Sequence, residues 1–230
     1  MCGRYGFSIK DAREVIDRFD LLNTIDEIEK LESSNNVGPG NQHPVIVQTS
    51  QGNKIGRFFW GLIPYWAKDE SMKYSTINAR ADRVADAASY RKPFRSKRCL
   101  VPAAHFYEPD KSVKPSIPYL FKLKNDELFC FAGLYDIWTD KETNKEIYSY
   151  TIITVEPNEL VEKIHPRMPA ILKKSDEKNW LNPDLIEPEQ IQPMLQTYPA
   201  SEMTGFRISQ DLWKWKDDKE IIKPVADSKI

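Results

Sequence analysis

Short apolar runs, broken by Gly, Pro, Asn and Asp, dominate the pattern of hydrophobic and polar positions along the chain. Many of these runs are rich in aromatic and β-branched residues, which is typical of strands that bury at least one face. The pattern predicts a fold built mainly from β-structure. Strands are predicted at residues 44–48, 55–63, 99–108, 119–122, 128–138, 148–155 and 204–209.

Helical spacing of apolar residues is confined to short stretches. A first helix is predicted to follow Ser8 as its N-cap, with Asp11 three residues on in the capping-box position. Another is predicted to begin at Pro157 and to end before Pro166. His165 would then lie at a helix C-terminus, where the helix dipole favours a protonated imidazole. Further short helices are predicted at 175–181 and 188–198.

Turn residues divide these elements without marking a domain boundary. Asn53 and Lys54 are expected to form a hairpin turn, and residues 140–144 another. Residues 23–36 are acidic and rich in Asn and Ser, which favours a surface connection. Because no repeat, low-complexity linker or break in composition divides the chain, we expect a single domain over residues 1–230, ending in a charged, solvated tail at 211–230.

The composition bears on the cellular location of the protein and on whether it binds nucleic acid. The chain has 230 residues, 40% of them hydrophobic, and a net charge of −1. We expect a cytoplasmic protein, because no apolar run approaches the ~18 residues of a membrane span and no signal segment opens the chain. The global charge gives no reason to expect nucleic acid. Residues 73–98, however, hold eight Lys/Arg against two Asp, which suits either a nucleic-acid contact or an ordinary solvated face.

Three cysteines at wide spacings favour reduced thiols over a disulfide framework. Cys99 and Cys130 lie inside apolar runs and are expected to be small core residues. Since no Cys/His cluster has the spacing of a metal site, we expect neither a metal nor another cofactor.

Cys2 carries the most unusual chemistry in the chain. A small residue behind Met1 is compatible with removal of that methionine, which would leave an α-amine and a thiol on adjacent carbons. The α-amine, with a reference pKa near ~7.7, is partly neutral at pH 7 and can condense with an aldehyde. The thiol can then close on the imine carbon to form a five-membered thiazolidine. A chance Met-Cys start is the alternative.

Other candidate residues have equally plausible structural roles. The aromatic segment from Trp60 to Trp66 suits either a cap on the core or a surface on which bases stack. Arg80 suits a phosphate, and it lies two residues after Asn78. Glu108 follows two aromatic residues, so burial there would raise its pKa and suit it to acid/base catalysis; an exposed strand-end Glu is the alternative.

The order of these motifs resembles the SRAP family, named for SOS response-associated peptidase, whose members are abasic-site processing proteins. The resemblance spans residues 2–210, and its most specific parts are the first and the last of the motifs. The motifs that carry it are Met1-Cys2-Gly3-Arg4, Val37-Gly38-Pro39-Gly40, Trp60-Gly61 with Pro64 and Trp66, Asn78-Ala79-Arg80, Phe106-Tyr107-Glu108 and His165-Pro166-Arg167-Met168-Pro169.

The resemblance implies an α+β fold with a mixed, barrel-like β core and flanking helices. It also implies a monomer that captures abasic sites in single-stranded DNA and associates with the nucleoid when the DNA is damaged. Cys2 would form the crosslink, Asn78 would orient its amine, Glu108 would act as acid/base, and His165 would assist ring opening and stabilise the linkage. The implied DNA contacts are Arg4, Pro39, Gly40, Trp66, Arg80, Phe106 and Thr154.

Two positions depart from the family pattern. Pro109 follows the glutamate where many members have Trp, and Ala67 follows Trp66 where some members have a second Trp. The second departure suggests that one stacking contact is missing.

Two further functions remain open at this stage. One is a thiol peptidase, acting chiefly on its own N-terminus, in which Cys2 is the nucleophile and Glu108 and His165 support it. The other is a single-stranded DNA-binding module in which Cys2 has no chemical role.

Overall fold

Twelve named strands are the main regular elements in the part of the chain that the computed structural model describes, which is residues 2–214, 217–225, 228 and 230. In chain order they are β1 (Arg4–Phe7), β2 (Ser34–Val37), β3 (Gln42–Thr49), β4 (Gly52–Trp60), β5 (Asn78–Arg80), β6 (Arg98–Ala103), β7 (His105–Asp110), β8 (Ile117–Leu123), β9 (Phe129–Thr139), β10 (Glu146–Val155), β11 (Met168–Pro169) and β12 (Met203–Arg207).

The helices are short and connect or flank these strands. The α-helices are α1 (Ala12–Phe19), α2 (Ile25–Glu29), α3 (Arg91–Ser96), α4 (Glu177–Leu181) and α5 (Pro188–Ile191). Turns of 3₁₀ helix occupy Glu70–Tyr74, Gln192–Met194, Ala200–Glu202 and Gln210–Lys214.

The strands form two sheets, and the second sheet closes on itself. The first has the order β12-β8-β7-β1-β2. The second runs β11-β10-β4-β3-β6-β9, and β9 also pairs with β10, so that β10, β4, β3, β6 and β9 form a ring. Strand β10 is parallel to β4 and β5 and antiparallel to β9 and β11, which makes this sheet mixed.

The apolar start of β9 is buried because it pairs with strands on both sides. Gly133 faces Cys99 on β6 and Ile152 on β10. A Cβ atom at this position would lie 2.8 Å from the Cys99 Sγ atom and from a Val101 methyl group. The close approach of three strands therefore requires glycine here.

Several boundaries differ from those predicted. Asp11, not Ser8, is the N-cap of α1, because its carboxylate accepts bonds from the backbone N–H groups of Arg13 and Glu14. The supposed connection at 23–36 contains both α2 and β2. Thr24 and Glu27 form a capping box at the start of α2, a signal that was present in the sequence.

Three more local predictions have different outcomes. The predicted strand 99–108 is two strands, because β6 belongs to the second sheet and β7 to the first. The hairpin turn at 140–144 is confirmed by the bond from the Asp140 N–H group to the Lys145 carbonyl. The other hairpin turns at residues 50–51, and Asn53 and Lys54 already lie in β4.

Described residues of the C-terminal segment pack on the protein, which differs from the solvated tail that we expected at 211–230; residues 215, 216, 226, 227 and 229 of that tail lie outside the described residues. Leu212 and Ile221 are fully buried beside Tyr107. The Val225 N–H group donates to the carbonyl of Arg207, the last residue of β12. The charged composition of this segment hid a few apolar residues that cover the first sheet.

None of the helices in the described part of the chain combines the length and the apolar character needed to cross a membrane.

Candidate active site and nucleic-acid contact surface

Strand pairing brings the start of the chain against Glu108. Strand β1 runs antiparallel to β7, with Arg4 opposite Tyr107. This register directs the residues before Arg4 toward Glu108, the next residue of β7. Both Cys2 and Glu108 are fully buried. Two motifs that lie about a hundred positions apart in the sequence thus meet in one pocket.

The thiol of Cys2 is held in its protonated form. Burial, together with the negative charge of the Glu108 carboxylate, raises its pKa well above the usual value for cysteine. The Sγ atom lies 3.5 Å from the Arg4 carbonyl oxygen, to which it donates. The sulfur therefore reacts only when its proton has an acceptor.

Asn78 reaches Cys2 from the other sheet. Strand β5 lies parallel to β10, with Asn78 opposite Ile152, and the Asn78 side-chain amide donates to the Cys2 carbonyl over 2.8 Å. Tyr90 fixes the same residue by donating from its hydroxyl to the Asn78 carbonyl over 3.2 Å. The Asn78 Oδ1 atom is buried and has no hydrogen-bond partner within the described residues, which leaves an acceptor next to the backbone of Cys2.

Glu108 and His165 lie next to each other in the site. The Glu108 Oε2 and His165 Nδ1 atoms are 3.8 Å apart. Burial raises the pKa of Glu108 to about 8 and lowers the pKa of His165 below its ordinary value. At neutral pH the site thus combines a protonated carboxyl group with a neutral imidazole, an arrangement that can both donate and accept a proton.

The charge state of His165 is the opposite of the one predicted. Residues 159–164 form successive turns and no α-helix, so the dipole that was expected to favour the imidazolium is weak. The side chain is also largely buried, and desolvation disfavours its charged form. The Nδ1 atom lies 2.9 Å from the Arg167 carbonyl oxygen and 3.2 Å from the Arg167 nitrogen, which fixes the orientation of the ring.

Arg167 was given no separate role by the sequence analysis, although its motif was recognised. Its guanidinium group donates to the Thr154 carbonyl oxygen over 2.5 Å and also bonds to Glu156. Arg167 therefore ties the turn that carries His165 to the end of β10. The sequence signal was the position of Arg167 between Pro166 and Pro169, in the segment that follows His165.

The predicted DNA contacts divide into surface and interior residues. Trp66 and Arg80 are about half exposed, Gly40 is exposed at a φ of 88°, and Pro39 is partly exposed. A Cβ added at Gly40 would meet open space. Arg4 is partly buried and donates to the Asn36 side chain over 2.6 Å.

Phe106 and Thr154 do not fit the predicted contact surface, because both are fully buried. The Phe106 ring stacks on Phe121 with centroids 5.2 Å apart. The Thr154 hydroxyl donates to the Ala79 carbonyl over 3.3 Å. Both residues support the site from behind in this conformation.

The basic stretch 73–98 is only partly a free charged surface. Arg80 forms a two-pronged ion pair with Asp82, and Lys97 pairs with the buried Asp136. Arg98 is buried and donates to backbone carbonyls, among them the Trp180 carbonyl at 2.6 Å. Several of these cations therefore hold the fold together.

Within the described ranges, no group of three or more His, Cys, Asp or Glu side chains is arranged to hold a metal ion.

Comparisons with known proteins point to one family. A family model described as SOS response associated peptidase (SRAP) matches residues 1–215. The abasic site processing protein YoqW of Bacillus subtilis (strain 168) is 43% identical over 210 residues, which cover 91% of this chain and 92% of that protein. The abasic site processing protein HMCES of Xenopus tropicalis is 30% identical over 184 residues, covering 67% of this chain and 55% of HMCES.

Solved structures show the same fold. A protein from Bacteroides thetaiotaomicron superposes with a TM-score of 0.86 at 31% identity, covering 96% of this chain and 99% of its own. A protein from Bordetella bronchiseptica superposes with a TM-score of 0.74 at 21% identity, over 90% of this chain and all of its own. The predicted α+β class with a mixed, barrel-like β core and flanking helices is confirmed.

Proposed function

Because the chain belongs to the SRAP family, we propose that it processes abasic sites in DNA and that it does so by forming a covalent crosslink through Cys2. The substrate is single-stranded DNA, and the protein acts as a monomer. The relatives named as abasic site processing proteins support the choice of lesion. The observation that carries the proposal is the meeting of Cys2, Asn78, Glu108 and His165 in one buried site.

The reaction begins with the sugar of the abasic nucleotide. This sugar exists as a closed hemiacetal in equilibrium with a small fraction of open aldehyde. Protonated Glu108 donates to the ring oxygen, while the neutral His165 imidazole beside it accepts the proton of the C1 hydroxyl group. The bond between C1 and the ring oxygen then breaks, and C1 becomes the aldehyde carbon. General acid/base assistance of this kind contributes a factor of about 10²–10⁴ to a rate.

Capture follows on adjacent atoms of Cys2. Once Met1 is removed, the α-amine attacks the aldehyde carbon, and loss of water leaves an imine. The thiol sulfur then adds to the imine carbon while the nitrogen takes up the thiol proton, which closes a thiazolidine ring. One C–N bond and one C–S bond form, and the aldehyde oxygen leaves as water. Removal of the imine prevents the β-elimination that would cleave the strand.

Asn78 is the residue that positions this amine. Its side-chain N–H group already binds the Cys2 carbonyl, and its Oδ1 atom is a buried acceptor next to the Cys2 backbone. An amine N–H group would satisfy that acceptor, whose burial without a partner otherwise costs about 1–3 kcal/mol.

The raised thiol pKa favours crosslinking over the thiol peptidase function. A peptidase needs Cys2 as a thiolate before it meets its substrate, and burial beside Glu108 lowers the thiolate fraction. In the crosslinking reaction the sulfur adds to a carbon that is already attached to the same residue. The high effective concentration of such an intramolecular step offsets the low thiolate fraction.

The test is to incubate the protein with single-stranded DNA that contains one abasic site and to look for a heat-stable adduct on a denaturing gel. Cys2→Ala retains the α-amine but lacks the sulfur, so we expect the stable adduct to disappear. Cys99→Ala is the matched control, because it removes a buried thiol from the core, and should crosslink like the parent. Intact-mass measurement must first show that Met1 is absent.

Three results would contradict the proposal. A heat-stable adduct with Cys2→Ala would remove the thiazolidine, peptide turnover without any adduct would support the peptidase, and retention of DNA without covalency would support a simple binding module.

A further inference from the structure

Two large aromatic side chains are exposed side by side in the segment after β4. Tyr65 is 51% exposed and Trp66 is 47% exposed, whereas Ala67 is buried. Leaving neighbouring rings in water forgoes their hydrophobic stabilisation, and such exposed patches mark interaction sites. Tyr65 thus provides a second exposed ring beside Trp66, where the family departure at Ala67 suggested that one was missing.

The backbone that carries these rings is firmly anchored. The Tyr65 N–H group donates to the Asp136 carboxylate over 2.9 Å, and the other Asp136 oxygen pairs with Lys97. The Ala67 carbonyl accepts a bond of 2.9 Å from the Trp138 indole. Asp136 is only 1% exposed, so a buried charge is committed to holding this segment. The backbone that carries the two rings is therefore held in place.

Positive charge continues from the rings onto α3. The Lys92 Nζ atom lies 4.0 Å from the centroid of the Tyr65 ring. Lys92 and its neighbour Arg91 are exposed, and neither forms an ion pair with another residue that the structure describes. They border a surface cleft of about 460 Å³ in which Asp86 is the one acidic lining residue among those described; its lining is Ala85, Asp86, Arg91, Lys92, Arg95 and Ser96.

We propose that Tyr65, Arg91 and Lys92 bind the single strand that flanks the abasic nucleotide, extending the contact beyond Trp66. The inference rests on the proposed function for the identity of the strand. Unpaired bases stack on exposed rings whatever their sequence, and the adjacent phosphates are neutralised by Arg91 and Lys92. A duplex does not fit, because its bases are already stacked on one another.

The test measures non-covalent binding in the Cys2→Ala protein, so that it does not depend on crosslinking. Fluorescence anisotropy is recorded with oligothymidylates of about 6 and about 18 nucleotides, lengths that bracket common site sizes. Tyr65→Ala should weaken binding of the longer strand by about tenfold, as expected for one lost stacking contact. Tyr65→Phe retains the ring and should bind like the parent.

The cations are tested through the dependence of binding on salt. Arg91→Gln and Lys92→Gln should each reduce the slope of log affinity against log salt by about 0.7, the value for one phosphate contact with a single strand. Lys141→Gln is the matched control, because Lys141 is exposed in the turn between β9 and β10, and should leave the slope unchanged.

The outcomes separate this surface from the chemistry. Equal binding of the longer strand by Tyr65→Ala and Tyr65→Phe, or unchanged salt slopes in the α3 variants, would overturn the inference even if Cys2 crosslinks abasic DNA. Loss of binding in these variants would support the surface even if the parent protein forms no adduct, in which case the proposed function alone would fail.

Discussion

Cys2, Asn78 and Glu108 lie inside the protein, whereas Tyr65, Trp66 and Arg80 lie on its surface, and the two groups are positioned by different means. The interior group is held by strand register and by bonds such as that from Asn78 to the Cys2 carbonyl. In the surface group, the backbone of Tyr65 is anchored on the buried Asp136, and the side chain of Arg80 is held by an exposed ion pair with Asp82. Under the proposed function, the chemistry depends on burial, which shifts the pKa values of Cys2 and Glu108, while capture of the strand depends on accessible rings and charges.

Substitution of Glu108 is the most direct test of the difference between the interior and surface groups. Glu108→Gln keeps the shape of the side chain but removes the proton that the acid donates, so crosslinking at pH 7 should slow by about 10²–10⁴-fold. Non-covalent binding of a single strand without an abasic site should not change, because the proposed contacts of such a strand are made by surface residues and Glu108 is buried. The two quantities are measured by adduct formation with time and by anisotropy in parallel.

Glu177→Gln is the matched control for that substitution. Glu177 is a buried glutamate whose pKa is also raised by burial, but it pairs with Arg18. This variant should crosslink at the rate of the parent. If Glu108→Gln crosslinked as fast as Glu177→Gln, the acid/base role of Glu108 would be lost.

A second consequence of burying Glu108 concerns stability. The pKa of Glu108 is raised from 4.5 to about 8 in the folded protein, so the folded state retains a proton that the unfolded chain has released. Its contribution to the free energy of unfolding is therefore fully present below pH 4.5 and is lost as the pH rises through about 8. Glu108→Gln has no ionisable group at this position, so its stability does not fall for this reason as the pH rises.

Relative to the parent, Glu108→Gln should gain stability as the pH is raised from 5 to 8.5 across this window. Urea unfolding at both pH values measures the difference. The lowered pKa values of His43 and His105 act in both proteins and cancel in the comparison. A constant difference at all pH values would show that Glu108 has an ordinary pKa. A gain in the stability of Glu108→Gln at high pH would show that the ionised Glu108 destabilises the parent protein, as expected for a buried functional residue.

The interior group was largely predictable because its members lie on or next to strands. Once β1 pairs with β7, the motifs that contain Cys2 and Glu108 converge by register, and Asn78 joins them from β5 of the other sheet. The order of short motifs was therefore enough to group these residues. Their electrostatics were less predictable: the helix-dipole argument for His165 failed because burial, which no single-sequence pattern reveals, lowers its pKa.

The surface group was harder to predict because exposure depends on what packs above each residue. Phe106 and Trp66 are both aromatic residues in recognised motifs, yet Phe106 is enclosed between the sheets and Trp66 is half exposed. Tyr65 lies in the aromatic segment that the sequence left open between a core cap and a stacking surface, and the structure buries Trp60 of that segment while exposing Tyr65 and Trp66. The apolar residues of the C-terminal segment were likewise concealed by their charged neighbours.

Arg80 provides the smallest and most specific test of the surface group. Its guanidinium group is paired with Asp82 at 2.9–3.0 Å, and both side chains are about half exposed. Water screens such a pair, so its net contribution to stability is small, and a phosphate can replace the carboxylate at little cost. The pair therefore offers two substitutions with opposite expected effects on DNA binding.

Arg80→Ala should weaken binding of single-stranded DNA several-fold at low salt and reduce the salt slope by about 0.7. Asp82→Asn should strengthen binding, because it removes a competing negative charge while Arg80 remains in place. Neither variant should alter the rate of crosslinking once DNA is saturating, since neither residue belongs to the interior group. Anisotropy titrations at several salt concentrations measure both effects. If the two variants shifted affinity in the same direction, Arg80 would have no direct contact with a phosphate, and its ion pair with Asp82 would be a purely structural feature of the surface.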